Sequence, residues 1–273
     1  MNSNPPSAPP PDLRILPTAR LRAHEEHDSQ RSQPLVERLR REQFVINPPI
    51  VAPMDNGEYV ILDGANRCYA FAELGYPHSL VQVVSYQDGT VELGTWQHVI
   101  GQWDADEFIQ QLDQMPDIEL TEGQHKNAIA HVLFRDGREL ALRAPVATTH
   151  ERNAALRHVV QIYQQNAVLH RTAVAEPERI WTLFPDPVAL VFFPHYRPSD
   201  IIAAAKENAF LPPGISRHIV HGRAIRVNYP IERLRDTATP LSQKNNALQS
   251  WIQQKVANRQ VRYYAEATYQ FDE

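Results

Sequence analysis

Glu58-Tyr-Val-Ile-Leu-Asp-Gly-Ala-Asn-Arg-Cys-Tyr-Ala-Phe-Ala-Glu-Leu-Gly75 decides how the chain is read. Tyr59 to Leu62 form a short apolar run of strand character, and Asp63-Gly64 breaks it. Ala65 to Leu74 predicts a helix, with Ala70, Phe71 and Leu74 on one side and Gly75 as its C-terminal stop. A strand that turns through Asp-Gly into a helix leaves backbone N–H groups free at the helix N-terminus. With the helix dipole they make an anion site. Arg67 falls in the first turn, where a permanently charged fork suits phosphate. Asp63 stands at the lip, where a carboxylate can hold Mg²⁺ or take a proton. The same residues also fit a plain Asp-Gly turn, with Asp63 as helix N-cap and Arg67 in solvent.

Strands and turns flank this unit on both sides. Leu13 to Leu16 and Asn47 to Ala52 read as strands, and Asp55-Asn-Gly57 is a hairpin signal before Tyr59. Pro34 to Gln43 reads as a helix with Pro34 in its first turn. Ser79 to Val84 predicts a strand, with a hairpin at Asp88-Gly89 and a return at Val91 to Leu93. Further on, Asp104 to Gln114, Thr149 to Gln165, Pro198 to Lys206 and Pro240 to Asn258 read as helices. Ile129 to Phe134 and Glu139 to Arg143 read as a hairpin. Val188 to Phe193 reads as a buried strand, and Val261 to Phe271 as a final strand or extended tail. No internal repeat is visible.

Of the 273 residues, 42% are hydrophobic and 22% charged, a globular composition long enough for one large domain or two smaller ones. The net charge of −5 supplies no electrostatic footprint for duplex DNA. A single cysteine, Cys68, excludes an internal disulfide and a cysteine metal cluster. No apolar run approaches the roughly 20 residues needed to span a bilayer, so no membrane partner is expected. Met1 to Asp12 is rich in Pro, Ser and Asn and has no apolar signal region; it reads as a disordered tail of a cytoplasmic protein.

Three further stretches carry chemistry. In His24-Glu25-Glu26, a carboxylate near a phosphate and a hydroxyl substrate can serve as general base. Neighbours on an extended segment face opposite ways, so only one glutamate points inward, and spacing does not say which. Pro213-Gly-Ile-Ser-Arg-His218 with Gly222-Arg223 collects a hydroxyl, guanidiniums and an imidazole suited to carboxylate or phosphate, or else forms a basic surface hairpin. Thr95-Trp96 offers an aromatic wall and a hydroxyl for a small ligand, or a core tryptophan. A Walker loop, a kinase-type glycine loop and a Gly-x-Ser-x-Gly elbow are all missing.

Val60-Ile-Leu-Asp-Gly-Ala-Asn-Arg67 resembles the ParB/sulfiredoxin-type motif. Together with His24-Glu25, Asn47-Pro-Pro-Ile, Leu93-Gly-Thr-Trp96, Gly214-Ile-Ser-Arg-His218 and Arg262-Tyr-Tyr-x-Glu266, it is similar to the free L-serine kinase family. The resemblance implies an α/β (α+β) fold: a ParB/sulfiredoxin-like nucleotide domain over 13–103 and a second α+β domain over 104–273. It implies transfer of phosphate from ATP or ADP, with Mg²⁺, to free L-serine. Glu25 would be the base and Asp63 a catalytic or magnesium-linked carboxylate. Gly64, Asn66 and Arg67 would cradle the nucleotide phosphates, and Thr95, Trp96, Ser216, Arg217 and His218 would hold the amino acid. Asn66 stands where the family has histidine, and asparagine hydrogen-bonds phosphate without carrying charge. Sulfiredoxin itself is a poor match, because its reactive cysteine would precede Arg67. The competing readings are a ParB-like DNA-binding regulator, with Arg217 to Arg226 as its basic patch, and a non-catalytic sensor of nucleotide or serine.

Overall fold

A computed structural model describes residues 10–27 and 29–264, with the backbone alone at 29–31. The expected tail lies largely outside the described residues, and Asp12 already opens the first strand, Asp12–Pro17. The chain is mixed α/β and forms two compact units. The first takes the chain up to Arg22, then His27–Glu92 and the chain from Ile219 on; the second takes Ala23–Glu26 and Leu93–His218. Both are discontinuous in sequence, where the sequence reading has a single cut after residue 103.

The first unit has a five-stranded sheet in the order Asp12–Pro17, His78–Val83, Ile50–Pro53, Tyr59–Asp63, Leu21–Ala23. Ile50–Pro53 runs antiparallel to Tyr59–Asp63 across the Asp-Asn-Gly turn and parallel to His78–Val83. Val60, Ile61 and Leu62 are all buried, so this strand is covered on both faces and shows no alternation. The C-terminal chain returns to this unit. Tyr229, Ile231, Leu234 and Leu248 share one apolar cluster with Leu13, Ile15, Phe71 and Leu80. Asn245, on helix Leu241–Ala257, hydrogen-bonds both the N–H and the C=O of Ile15 at 2.9 Å. Two local expectations differ from the structure. Helix Ser29–Arg41 starts five residues before Pro34 and carries that proline inside; burial of Val36 and Leu39 in the core offsets the one missing N–H bond. Val91–Thr95 does not return on the preceding strand but pairs with Ser216–Val220. The turn before it is closed locally, by the Ser85 N–H on Thr90 Oγ1 at 2.9 Å.

The second unit is a six-stranded sheet in the order Val168–Thr172, Gln97–Gly101, Pro187–Phe192, Ala130–Phe134, Glu139–Arg143, Glu119–Glu122, antiparallel throughout. Ala189, Leu190 and Val191 are fully buried in its interior, as their unbroken apolar run requires. Helix Thr149–Asn166 begins with a capping box between Thr148 and Glu151, and Asp104 caps helix Ala105–Asp113.

His98 is buried inside this unit, and burial pushes its pKa down to about 3. The unfolded chain takes up this proton below about pH 6.5 and the folded chain does not. The native imidazole's contribution is therefore intact above about 6.5 and lost as pH falls towards 3, at up to about 1.4 kcal/mol per pH unit. Urea unfolding free energies measured from pH 7 to pH 4 are expected to fall less steeply for His98→Gln than for the native chain. Equal slopes would contradict this reading.

Candidate functional site

In the first unit, Asp63 ends its strand and Gly64 carries the chain into helix Ala65–Glu73 in a left-handed conformation, φ 87°. Glycine is favoured there on two counts. The conformation disfavours a side chain, and a Cβ would sit 3.1 Å from both Pro49 and the Arg67 guanidinium. No side chain caps this helix end, and the first intrahelical bond runs from the Cys68 N–H to the Gly64 carbonyl. Asp63 is thus not the N-cap. Its Oδ2 instead accepts from two guanidiniums, Arg67 at 3.3 Å and Arg223. Arg67 also donates to the Asn47 carbonyl. Burial alone would raise the Asp63 pKa, but the charges of Arg223 and Arg67 outweigh it and hold the group below the usual carboxylate range. One carboxylate between two guanidiniums leaves a surplus positive charge beside a helix N-terminus, an arrangement suited to phosphate.

The sequence offers Arg223 among groups suited to carboxylate or phosphate and as part of a basic stretch; the structure places it on the Asp63 carboxylate, 160 residues away in sequence. Buried Gln82 holds it there. Gln82 Nε2 donates to the Gly222 carbonyl at 3.1 Å, and its Oε1 accepts from the Ala224 N–H at 2.8 Å. Within the same basic run His221 faces Glu92 at 2.6 Å. Two of the residues proposed for a DNA patch, Arg223 and His221, are therefore engaged with acids of their own unit.

Cys68 lies one turn inside this helix and is buried, which pushes its thiol pKa up to about 12 despite the nearby Arg67 charge. A thiol in that state supplies almost no thiolate. Native protein at pH 8 is expected to leave a disulfide-exchange reagent such as DTNB unreacted over minutes, with one thiol appearing in urea. Rapid labelling of the folded chain would overturn this.

In the second unit, Glu25 lies on a short parallel bridge with Leu211. Its Oε2 accepts the Gly214 N–H at 3.0 Å. Glu26 instead pairs with Arg157 at 2.9 Å. The two neighbouring glutamates thus face different partners, as the alternation of an extended segment requires. Buried His24 meets the Ser216 hydroxyl at 2.7 Å and packs edge-on to His218, with ring centroids 5.5 Å apart. The Trp96 N–H donates to the Ile215 carbonyl at 2.8 Å, and Arg217 lies over the Trp96 ring at 5.0 Å. Thr95 Oγ1 is buried and has no hydrogen-bond partner among the described residues. A hydroxyl left without a partner costs stability unless a ligand or water meets it. The predicted substrate residues and Glu25 thus lie on three backbone segments tied to one another by hydrogen bonds. The predicted C-terminal motif reaches only Tyr264 within the described residues.

Among the described residues no group of three or more His, Cys, Asp or Glu is placed to hold a metal ion. Magnesium that travels with a nucleotide takes most of its ligands from phosphate and water. Asp63 is ionised and fits such an ion as a single protein ligand, with Oδ2 already shared by the two guanidiniums. No helix of the described residues is long and apolar enough to cross a membrane.

No protein-family model matches the chain. Among solved structures, the chain superposes on a glutamate-to-glutamine mutant of a free serine kinase in complex with AMP, with TM-score 0.72, 14% identity, and 86% of this chain and 98% of that one covered. It superposes equally on a C-terminally truncated SbnI from Staphylococcus aureus, with TM-score 0.70, 19% identity, and coverage of 90% and 97%. The fold is therefore that of the free serine kinases. Sequence relatives point the same way. The ATP-dependent L-serine kinase SbnI of Staphylococcus aureus is 22% identical over 259 residues, 94% of this chain and 96% of the relative. The ATP-dependent L-serine kinase of Staphylothermus marinus is 35% identical over 83 residues, 30% of this chain and 33% of that one. The chain is thus similar to the free serine kinases in both sequence and fold.

Proposed function

We propose that the protein is an ATP-dependent kinase that phosphorylates the side-chain hydroxyl of free L-serine to give O-phospho-L-serine. The observation that carries the reading is the Glu25 carboxylate, held by the Gly214 N–H among side chains suited to a small hydroxyl amino acid. The names of the relatives favour ATP as the donor.

In this reading Glu25 accepts the serine hydroxyl proton as that oxygen attacks the terminal phosphorus. The bond to the bridging oxygen breaks, and its electron pair leaves with the nucleoside diphosphate. Gly64 and the amides after it, with Asn66, Arg67 and Arg223, hold the phosphates and neutralise their charge. Asn66 adds a neutral hydrogen bond in place of the family's histidine. Asp63 keeps both guanidiniums in place and would be the protein ligand for nucleotide-borne magnesium, which would supply further neutralisation of phosphate charge. Thr95, Trp96, Ser216, Arg217 and His218 hold the amino acid and its new phosphate. Phosphoryl transfer depends mostly on positioning and charge neutralisation, which these groups supply.

The test is phosphorus NMR or mass spectrometry of the purified protein with Mg²⁺, L-serine and either ATP or ADP. O-phosphoserine is expected with ATP. Product only with ADP would replace the donor and keep the reaction. No product with either donor, from protein shown to be folded, would overturn the kinase reading; ligand-induced thermal stabilisation without product would then favour a sensor.

A further inference from the structure

Inside the second unit, a line of hydrogen bonds leads through Gly214 to Glu25. His98, on strand Gln97–Gly101, is fully buried, with Nδ1 2.7 Å from the Tyr163 hydroxyl and Nε2 3.0 Å from the Gly214 carbonyl oxygen. A carbonyl oxygen only accepts, so Nε2 carries the hydrogen. The neutral ring then has Nδ1 as acceptor, and Tyr163 donates to it. Tyr163 is itself fully buried, and burial keeps its phenol protonated. The imidazole therefore has one tautomer and one orientation.

Gly214 passes this constraint on. It accepts from His98 at its carbonyl and donates to Glu25 Oε2 through its N–H. Arg171 acts on the same peptide group as that N–H, because its Nη2 donates to the Pro213 carbonyl oxygen at 3.0 Å. A cation on the oxygen of a peptide strengthens the N–H at its other end. The loop has little freedom of its own. Pro212 and Pro213 restrict it, and Leu211 is held by its N–H on the His24 carbonyl at 2.9 Å and by the Glu26 N–H on its carbonyl at 3.0 Å. Gly214 has φ 78°, which disfavours any side chain, and a Cβ there would stand 2.3 Å from Arg171 Cζ and displace the guanidinium.

We infer that His98 and Arg171 are positioning residues for Glu25, holding the two peptide groups that flank the Gly214 Cα so that the Gly214 N–H fixes the carboxylate in one orientation. The inference rests on Glu25 as the base. Neither residue is assigned contact with the reacting atoms; both act through Gly214.

The experiment is a set of double-mutant cycles in the full chain. The single variants are Glu25→Gln, His98→Leu, His98→Gln and Arg171→Met, with the last three repeated in the Glu25→Gln background. kcat and KM for serine and ATP are measured beside thermal unfolding. His98→Leu and Arg171→Met are each expected to lower kcat about 10- to 100-fold, since a small displacement of a reacting group has costs of that order. KM for ATP should stay within about twofold. His98→Gln keeps an N–H near the position of Nε2 and is expected to recover most of the loss. In the Glu25→Gln background the same changes should cost less than about twofold, because the group they position is already disabled. Equal losses in both backgrounds, or a folded His98→Gln as poor as His98→Leu, would overturn the inference. If His98→Leu does not fold, the Arg171 cycle decides alone. Unchanged turnover in Glu25→Gln by itself is a separate outcome: it removes the base assignment, and the positioning role with it.

Discussion

Glu25→Gln is expected to lower kcat for serine phosphorylation by about 10²–10⁴-fold, the usual contribution of one general base. The change is nearly isosteric. The glutamine carbonyl can still accept the Gly214 N–H, so the loop and the parallel bridge to Leu211 should survive. What is lost is the capacity to take a proton near neutral pH. KM for ATP should hardly move, because the groups assigned to its phosphates lie in the other unit. Glu26→Gln is the informative control. Its carboxylate is paired with Arg157, so the change is expected to cost some stability and less than about tenfold in kcat. Steady-state kinetics on both variants, with unfolding monitored in parallel, distinguishes them. A large loss in the second and none in the first would transfer the base to Glu26.

Arg67→Ala is expected to raise KM for ATP by about 10- to 100-fold. A charge-assisted hydrogen bond contributes roughly 1.5–3 kcal/mol, and each 1.4 kcal/mol is tenfold in binding. The substitution also removes the donor to the Asn47 carbonyl and one of the two cations on Asp63. A loss of roughly 1–3 kcal/mol in unfolding free energy is therefore expected as well. Arg67→Lys separates the two effects: it keeps the charge and loses the fork, and should recover only part of the affinity. Arg223 shares the Asp63 oxygen but is more exposed, at 39% against 23% for the Arg67 side chain. Arg223→Ala should accordingly cost less stability while still weakening ATP. An unchanged KM in folded Arg67→Ala would remove the phosphate cradle from the mechanism.

The parts legible in the sequence are those whose causes are local. The strand, left-handed glycine and helix from Tyr59 to Glu73 follow from residues within two turns of one another. So do the helix from Thr149 and the hairpin from Ala130 to Arg143. The order of motifs suffices to suggest the serine kinases and, through that resemblance, to name Glu25, Trp96, Ser216, Arg217 and His218 as candidates.

The neighbours of those residues were not legible. Arg223 on Asp63, Gly214 on Glu25 and His98 on Gly214 join positions 160, 189 and 116 residues apart. No periodicity or turn signal encodes such a pairing. The same holds for the return of the chain after Ile219 to pack Tyr229 and Leu248 beside Ile15, and for the pairing of Val91–Thr95 with Ser216–Val220. By itself the sequence determined the local elements, the phosphate-type turn and the family they resemble, because short-range sterics and hydrogen bonding set them. Only the tertiary structure decided that Asp63 serves two arginines, that Glu26 is engaged with Arg157, and that a buried histidine stands behind Glu25. Those contacts exist only once distant segments have been brought together by burial of the apolar cores.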